Sequence, residues 1–588
     1  MLDLFRSFLP VENPIGFGAS DYLELLLAAL LILAAIVWRP RIEPHARKLA
    51  GRAAWSMALL AALPVALRLL LLPHHPVPTP DVYDEFSHLL VADTLRHLRL
   101  ANPAHPLSQF FETFFVLQQP SYSSIYPLGQ GLVLALGWTL FGLPWAGVLL
   151  ATAAFCALCY WMLRVWTTPG WALAGGALAV MEFGPLSQWM NGYWGGAVAA
   201  TAGCLVFGSL PRLRDGRTRD AVLLGTGLAI HLLTRPYESV FLFLSVLAFF
   251  LPQFRNPAEL RKLARPAVVA ALVVTPALGL MLLQNHAVTG SWTTLPYSLS
   301  QYQYGVPTSL TLQPNPVSHR PLTPQQQLDY RMQTSFRPTG GETVKTYLER
   351  LEYRVRYYRF FFLPPLYLAL LAFLPALREY RFAWLALTLA LFALGTNFFP
   401  AFQVHYIAAA TCLFILAPIT GLARLSNLAL PPSRDRRHPR GRAVSDAREA
   451  SPLLPTGAEA ARLILFFCVA HFTFWYALHV FDNGLIPRTM MQYETWDNIN
   501  HNNPERRIAV NRQIAEIPGQ LLIFVRYEPR HLFQEEWVWN AAAIDAARIV
   551  WAHDLGPEEN AKLLRYYPSR TPLLLEPDER PMRLTPYR

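Results

Sequence analysis

Two neighbouring acids, Asp84 and Glu85, directly follow a long apolar run that ends near residue 72. Ionisable side chains at such a membrane boundary are costly to keep, so they are functional candidates by default. His88 lies four residues after Asp84, and on a helix these two side chains would share a face. A carboxylate near apolar surroundings has a raised pKa and suits a general base that deprotonates a hydroxyl group. The structural alternative is that Asp81 or Asp84 caps the following helix.

Three further polar clusters lie beside apolar runs. Arg235 has a guanidinium fork that suits phosphate oxygens, although an ion pair with Glu238 would also explain it. The glycines that follow Asn191 alternatively serve close helix packing. His405 is either a site residue or a structural histidine at a helix start. The clusters are Asn191 and Tyr193 within Asn191-Gly192-Tyr193-Trp194-Gly195-Gly196, the turn residues Arg235, Tyr237 and Glu238, and His405 with Tyr406.

The composition is that of a polytopic membrane protein. Of the 588 residues, 53% are hydrophobic and only 15% are charged, whereas soluble proteins contain about a quarter charged residues. The apolar residues form about twelve runs long enough to span, which predicts an all-α membrane bundle. The run 128–141 is short and follows Tyr126-Pro127, so we expect it to be interfacial or re-entrant. The predicted spans are 22–38, 53–72, 144–166, 170–184, 190–209, 220–234, 238–253, 267–285, 357–376, 382–398, 402–422 and 462–481.

The formal net charge of +11 comes from arginines in short loops between apolar runs. This pattern is typical of cytoplasmic loops that face an anionic leaflet, and it argues against nucleic-acid binding. With an outside N-terminus and a non-spanning 128–141 run, every such cluster falls on the cytoplasmic side. The clusters are at 39–52, 212–219, 255–265, 378–381 and 434–442.

This topology divides the chain into three parts. Residues 1–52 form an anchor helix and a cytoplasmic loop, 53–481 form the transmembrane module, and 482–588 form an extracytoplasmic unit. The module has outer loops at 73–143 and 286–356 and a cytoplasmic linker at 423–461. The site clusters would then lie on the extracytoplasmic face of the membrane.

The first outer loop begins with an amphipathic pattern. Its apolar side chains would face lipid or the bundle while its polar ones stay in water, which predicts an interfacial helix. The apolar set is Phe86, Leu89, Leu90, Leu95 and Leu98, and the polar set is Asp93, Arg96, His97 and Arg99.

The C-terminal segment alternates helical and strand patterns, which predicts a small α/β unit with a parallel sheet. It has no glycine-rich phosphate loop, so nucleotide binding is not indicated. Acceptor recognition and a stabilising lid are the two roles we consider. The predicted helices are 506–517 and 558–567, and the predicted strands are 521–527, 548–553 and 571–575.

Taken together, these features resemble the GT-C superfamily of membrane glycosyltransferases. The closer similarity is to the branch of protein O-mannosyltransferases and the lipid A aminoarabinose transferase. The acidic pair Asp84-Glu85 follows a span, and Tyr126-Pro127-Leu128 introduces a short apolar run, as in that family. The resemblance covers roughly 53–480, and the C-terminal unit departs from the better-known members.

The resemblance implies sugar transfer outside the cytoplasm from a polyprenyl-phosphate donor in the bilayer. Asp84 would be the general base, with inversion at the anomeric carbon, and Glu85 would position it or the donor. The other candidates would bind substrate; they are His88, Tyr126, Asn191, Tyr193, Arg235, Tyr237, Glu238, His405 and Tyr406. The acceptor is a glycan, a lipid or a protein.

A cofactor is not indicated, although the wider superfamily includes members that use a divalent cation. For Mg²⁺ or Mn²⁺ the available carboxylates would be Asp84, Glu85 and Glu238. Two other classes of function remain as alternatives, a transporter or flippase and a non-enzymatic envelope scaffold. Transporters usually show internal repeats and polar residues deep within spans. Here no repeat is obvious and the polar residues concentrate on one face, which favours surface chemistry.

Overall fold

The computed structural model describes residues 19–80, 82–213, 216–337, 341–428, 457–481 and 504–588. Within these ranges the chain is an α-helical bundle followed by a small α/β unit, which confirms the predicted fold class. The candidate cap Asp81, most of the arginine-rich linker and the beginning of the C-terminal segment lie outside the described residues.

Many helices of the bundle begin with proline, where the missing N–H costs nothing because no intrahelical acceptor exists there. The α-helices of the described residues are α1 (Ala19–Gly51), α2 (Ala53–Leu70), α3 (Tyr83–Arg96), α4 (Leu128–Phe141), α5 (Pro144–Trp166), α6 (Pro169–Phe183), α7 (Gln188–Asn191), α8 (Ala197–Arg212), α9 (Thr218–Thr234), α10 (Pro236–Phe249), α11 (Pro257–Thr289), α12 (Pro296–Tyr304), α13 (Pro324–Ser335), α14 (Val344–Val355), α15 (Leu366–Phe373), α16 (Tyr380–Thr396), α17 (Thr411–Ser426), α18 (Gly457–Val480), α19 (Pro504–Glu516) and α20 (Pro557–Tyr566).

Among the described residues, six helices are long and apolar enough to cross a membrane, and a bent helix pair would make a seventh. The six are α1, α2, α5, α11, α18 and the helix Val404–Ser426, which includes α17. Five other predicted spans fall on shorter helices of 14 to 17 residues, namely α6, α8, α9, α10 and α16. At 1.5 Å per residue these are about 21–26 Å long, somewhat less than a hydrocarbon core of about 30 Å.

The one remaining predicted span, 357–376, is not one continuous helix. The helical stretch Val344–Phe361 is separated by a four-residue break from the stretch Leu366–Arg378, and the two stretches are bent by 110°. Pro364 and Pro365 lie at the break. Proline cannot donate a helical hydrogen bond, and it pushes the preceding residue out of the helical region.

The segment with His405 is packed closely onto the bundle. It forms a 3₁₀ helix at Val404–Ala410 that lies against α8. A Cβ atom on Gly203 of α8 would lie 1.8 Å from the carbonyl oxygen of Ala409, so only glycine permits this approach. The position of His405 therefore depends on a backbone contact inside the bundle.

Helix α3 lies between the bundle and the C-terminal unit, and most of its residues are buried. The amphipathic prediction is correct for Arg96, His97 and Arg99, which are exposed. It is wrong for Asp93, which is buried because its carboxylate accepts the Ala542 N–H at 2.8 Å. Leu98 lies just beyond the end of the helix and is 95% exposed, so it does not face the bundle, and its predicted contact with lipid stays a prediction.

A small antiparallel sheet connects α3 to α4 in the first outer loop. Its strands β1 (Asn102–Pro103), β2 (Val116–Leu117) and β3 (Ser121–Ser124) lie in the order β1-β3-β2. The hydroxyl of Ser87 in α3 donates to the carbonyl of Phe115 at 2.7 Å and lies 2.7 Å from the Ser124 hydroxyl. These bonds fix the sheet, and the Tyr126 that follows it, against α3.

The C-terminal unit confirms the predicted parallel strands. Its sheet has the order β5-β4-β6-β7, in which β4 pairs in parallel with both β5 and β6. The strands are β4 (Leu521–Val525), β5 (Ile549–His553), β6 (Thr571–Glu576) and β7 (Arg583–Pro586). The antiparallel strand β7 was not predicted, since a short edge strand ending in proline lacks an alternating apolar pattern.

Candidate active site

A cavity of about 1170 Å³ lies between the bundle and the outer loops. It is larger than the pockets of about 300–1,000 Å³ that typically hold small ligands. Eight of the eleven predicted site residues line it, namely Asp84, His88, Tyr126, Arg235, Tyr237, Glu238, His405 and Tyr406. The chain thus brings together groups separated by more than 300 positions in the sequence.

The other three predicted site residues do not line this cavity and instead make structural contacts. The carboxylate of Glu85 accepts the Tyr193 N–H at 2.9 Å and the Val82 N–H at 3.5 Å. Asn191 accepts a hydrogen bond from Arg68 Nε at 2.6 Å. Asn191 ends the short helix α7, and Tyr193 lies in the irregular segment that follows it, so the predicted span at 190 begins only at Ala197.

Asp84 is the second residue of α3, whose N-cap is Val82. Its side chain accepts a hydrogen bond from the hydroxyl of Tyr126. Burial raises the pKa of Asp84 to about 6, while the Tyr126 hydrogen bond and the Arg235 charge both act to lower it. A carboxylate with this pKa is ionised near neutral pH and is a stronger base than an exposed aspartate.

His88 stacks on the ring of Tyr126, with ring centroids 4.2 Å apart and an angle of 20° between the planes. The pKa of His88 is lowered to about 3, mainly by burial and to a smaller extent by the charge of Arg235. The imidazole is therefore neutral and offers one donor and one acceptor. This places a neutral hydrogen-bonding group one turn after Asp84.

Arg235 occupies the junction between α9 and α10 and faces the cavity. Its Nη1 atom lies 3.9 Å from Glu238 Oε1, at the outer limit of an ion pair. Its guanidinium carbon lies 4.7 Å from the ring centroid of Tyr406. Its guanidinium makes no hydrogen bond to any residue that the structure describes, so its donors are available to an anion.

Four buried polar atoms around Arg235 and Asp84 have no hydrogen-bond partner among the described residues. Leaving such an atom unpaired costs about 1–3 kcal/mol, and nearly all buried polar groups in native proteins are paired. All four residues line the cavity, so a polar ligand would supply the missing partners. The atoms are His88 Nδ1, Gln130 Oε1, Trp194 Nε1 and His405 Nδ1.

Three arginines of the second outer loop also line the cavity, and we did not predict them. Their hydrogen bonds are made within the protein. Arg350 Nη2 contacts both carboxylate oxygens of Glu342 at 2.8 Å, and Arg354 donates to main-chain carbonyls, including that of Thr396 at 2.8 Å. Arg337 likewise donates to main-chain carbonyls, including that of Ser309 at 3.1 Å. The four-residue spacing of Arg350 and Arg354 was a signal for a shared helix face.

The described residues contain no preformed site for a divalent cation. They contain no group of three or more His, Cys, Asp or Glu side chains placed to hold a metal ion. Of the three carboxylates considered from the sequence, Glu85 contacts main-chain amides and does not line the cavity.

No model of a protein family matches the chain, and no curated protein matches its sequence. Among solved structures, ArnT from Cupriavidus metallidurans bound to undecaprenyl phosphate is similar, with 11% identity and a TM-score of 0.48 over 88% of this chain and 92% of that one. The apo state of ArnT gives 12% identity and a TM-score of 0.45, covering 90% and 93%. An Archaeoglobus fulgidus oligosaccharyltransferase, in complex with Zn and sulfate, gives 12% identity and a TM-score of 0.42, covering 89% and 67%. These similarities are too distant to establish a shared function.

Proposed function

We propose that this protein is a membrane glycosyltransferase of the GT-C type. It would move a sugar from a polyprenyl-phosphate donor to the hydroxyl group of an acceptor outside the cytoplasm. The observation that supports this most directly is the pairing of a basic carboxylate, Asp84, with a guanidinium that has no hydrogen-bond partner in the described residues, Arg235, in one cavity.

Asp84 is the general base in this proposal. Its ionised carboxylate removes the proton of the acceptor hydroxyl as the acceptor oxygen bonds to the anomeric carbon. The bond between that carbon and the donor phosphate oxygen breaks, and the polyprenyl phosphate leaves with the electron pair. Attack opposite the leaving group inverts the anomeric configuration.

Arg235 binds the donor phosphate and stabilises the charge that develops on the leaving group. Its planar fork matches two phosphate oxygens, and Tyr406 holds the guanidinium from one face. The neutral imidazole of His88, the His405 ring and the indole N–H of Trp194 supply further hydrogen-bonding groups around the same anion. Tyr237 and Glu238 complete this wall, and the Tyr193 N–H holds Glu85 of α3 through a hydrogen bond.

The site would lie at the periplasmic face of a bacterial inner membrane, with the lipid tail of the donor in the bilayer. The arginine-rich loops lie on the opposite side of the bundle, and such loops usually face the cytoplasm. The acceptor is a glycan, a lipid or a protein.

The test compares the lipids and glycans of the cell envelope, by mass spectrometry, in a deletion strain and its parent. We expect one sugar to be missing from one class of molecule, and the wild-type gene to restore it. Purified full-length protein in liposomes should then release polyprenyl phosphate from a donor only when an acceptor extract is present. An unchanged envelope, or movement of intact donor across the bilayer without release of phosphate, would contradict the proposal.

A further inference from the structure

The C-terminal unit makes its hydrogen bonds to α3 through residues 533–542, a part of the connection between β4 and β5 that we call the strap. Arg507 of α19 adds a contact 4.6 Å from the ring of Phe86. Val82 and Glu535 form an antiparallel β-bridge immediately before α3. The indole Nε1 of Trp539 donates to the carbonyl oxygen of Phe86 at 3.0 Å, and the two rings lie 5.5 Å apart. The Ala542 N–H bonds to Asp93 at 2.8 Å. The strap therefore contacts α3 at both ends and in the middle.

The three contact positions lie on one face of α3. Residues 82, 86 and 93 are separated by four and seven positions, which is the repeat of one helix face. Asp84 is two residues before Phe86 and hence about 200° around the helix axis. Asp84 and His88 line the cavity. At Phe86 and Asp93, helix α3 thus lies between the strap and the cavity, whereas Val82 at its N-cap lines the cavity itself.

Among the described residues, the first outer loop covers the edge of the C-terminal sheet beside β4 and β5, where ligand sites usually occur. Ligands of parallel sheets bind beyond the carboxyl ends of the strands. At that edge His553 Nε2 lies 2.5 Å from the carbonyl oxygen of Glu112, and Thr113 bonds to Glu536. The remaining space is about 10 Å³, at most enough for one water molecule. The first outer loop of the same chain fills this edge.

The strap also forms part of the cavity wall. Gln534 lines the cavity, and its amide contacts the sulfur of Met332 at 3.7 Å. The hydroxyl of Tyr122 donates to the carbonyl of Asn540 at 2.9 Å, which fixes the strap to the small antiparallel sheet. The strap is therefore connected to both elements that determine where Asp84 and Tyr126 lie.

We propose that the strap positions Asp84 by holding α3 from the face opposite the cavity, and that Trp539 is its main positioning residue. This rests on the proposed function, because it assigns the C-terminal unit a role in the transfer reaction. A displacement of about 1 Å in a reacting group can lower a rate by about 100-fold. The unit thus contributes to turnover without binding substrate at its own sheet.

The first test replaces Trp539 with phenylalanine in the full-length protein, which keeps a ring and removes the Nε1–H donor. We expect Trp539→Phe to lower kcat by roughly 10- to 100-fold, in proportion to displacement, with KM for the donor within about twofold of wild type. The control is Tyr587→Phe, which also keeps a ring and removes a hydrogen-bonding group in the same unit, where the Tyr587 hydroxyl accepts from Asn560 at 2.8 Å. It should leave kcat unchanged. Normal kcat in Trp539→Phe, or an equal loss in both variants, would overturn the proposal.

The second test reattaches the strap to α3 through a covalent bond. Facing residues of an antiparallel pair lie about 4.5–5.5 Å apart at their Cα atoms, a separation that a disulfide can bridge. Val82→Cys and Glu535→Cys, added to Trp539→Phe, should therefore restore kcat when oxidised and lose it again when reduced. The five native cysteines are all buried. A cross-linked protein that stays slow would overturn the positioning role alone, whereas absence of transfer by the wild-type chain would remove the proposed function as well.

Discussion

Tyr126 donates a hydrogen bond to the carboxylate of Asp84 across 42 positions of the chain. Two opposing effects meet at this carboxylate. Burial raises its pKa because the charged form loses its hydration, and the Tyr126 bond lowers it because the charged form is the better acceptor. Burial is the larger effect, and the pKa of Asp84 reaches about 6. The reaction that we propose requires the ionised form, so the rate of transfer should rise with pH through about 6.

Removal of the Tyr126 hydroxyl should move this pH dependence upwards. In Tyr126→Phe the ionised form of Asp84 loses a hydrogen bond, so the pKa rises and the base is available only at higher pH. A hydrogen bond to a charged group is worth about 1.5–3 kcal/mol, which corresponds to roughly one to two pH units. The measurement is kcat/KM between pH 5 and 9, with the exposed Tyr302→Phe as control. An acidic limb at the same pH in both variants would show that Asp84 does not control the rate.

Loss of the Arg235 guanidinium should weaken donor binding. Arg235→Gln removes a charged donor to the phosphate, so a short-chain polyprenyl phosphate should bind about 10- to 100-fold more weakly. Arg235→Lys should fall between this variant and wild type, because an ammonium group lacks the planar fork. Calorimetric titration in detergent would measure the affinities, with the exposed Arg261→Gln as control.

The same experiment separates phosphate binding from an ion pair that only closes the turn. If Arg235 served merely to pair with Glu238, then Glu238→Gln would weaken binding as much as Arg235→Gln does. We expect Glu238→Gln to bind the lipid phosphate at least as tightly as wild type, because it removes a competing anion at 3.9 Å.

A methyl group at Gly203 should destabilise the bundle. The Cβ of Gly203→Ala would lie 1.8 Å from the Ala409 carbonyl oxygen and force α8 away from the segment of His405. Overpacking of this kind costs about 1–3 kcal/mol. Gly279→Ala is the matched control, because no atom lies within 4 Å of its added Cβ. The midpoint of thermal unfolding should fall for Gly203→Ala and stay the same or rise for Gly279→Ala. Equal midpoints would contradict the packing described for Gly203.

The sequence predicted the bundle and the C-terminal sheet because both follow from local patterns. Long apolar runs specify helices, and short runs rich in β-branched and aromatic residues specify strands. The sequence also predicted that Asp84, Arg235 and His405 lie together, because the charge pattern that orients the spans assigns all three to one face.

The remaining features depend on contacts between distant parts of the chain. Glu85 was predicted to act beside Asp84, but adjacent residues on a helix point about 100° apart, and its carboxylate contacts the Tyr193 amide. Asp93 was predicted to be in water, but the strap covers it. Neither local periodicity nor composition contains information about a partner some 450 residues away.

The most direct test of the whole account is the transfer rate of Asp84→Asn with donor binding measured in parallel. The amide keeps the size of the side chain and cannot accept the acceptor proton, so transfer should fall by at least about 100-fold, as expected for loss of a general base. Binding of polyprenyl phosphate should stay within about threefold of wild type, and the exposed Glu352→Gln should transfer normally. Transfer by Asp84→Asn at the wild-type rate would contradict the assignment of Asp84 as the general base.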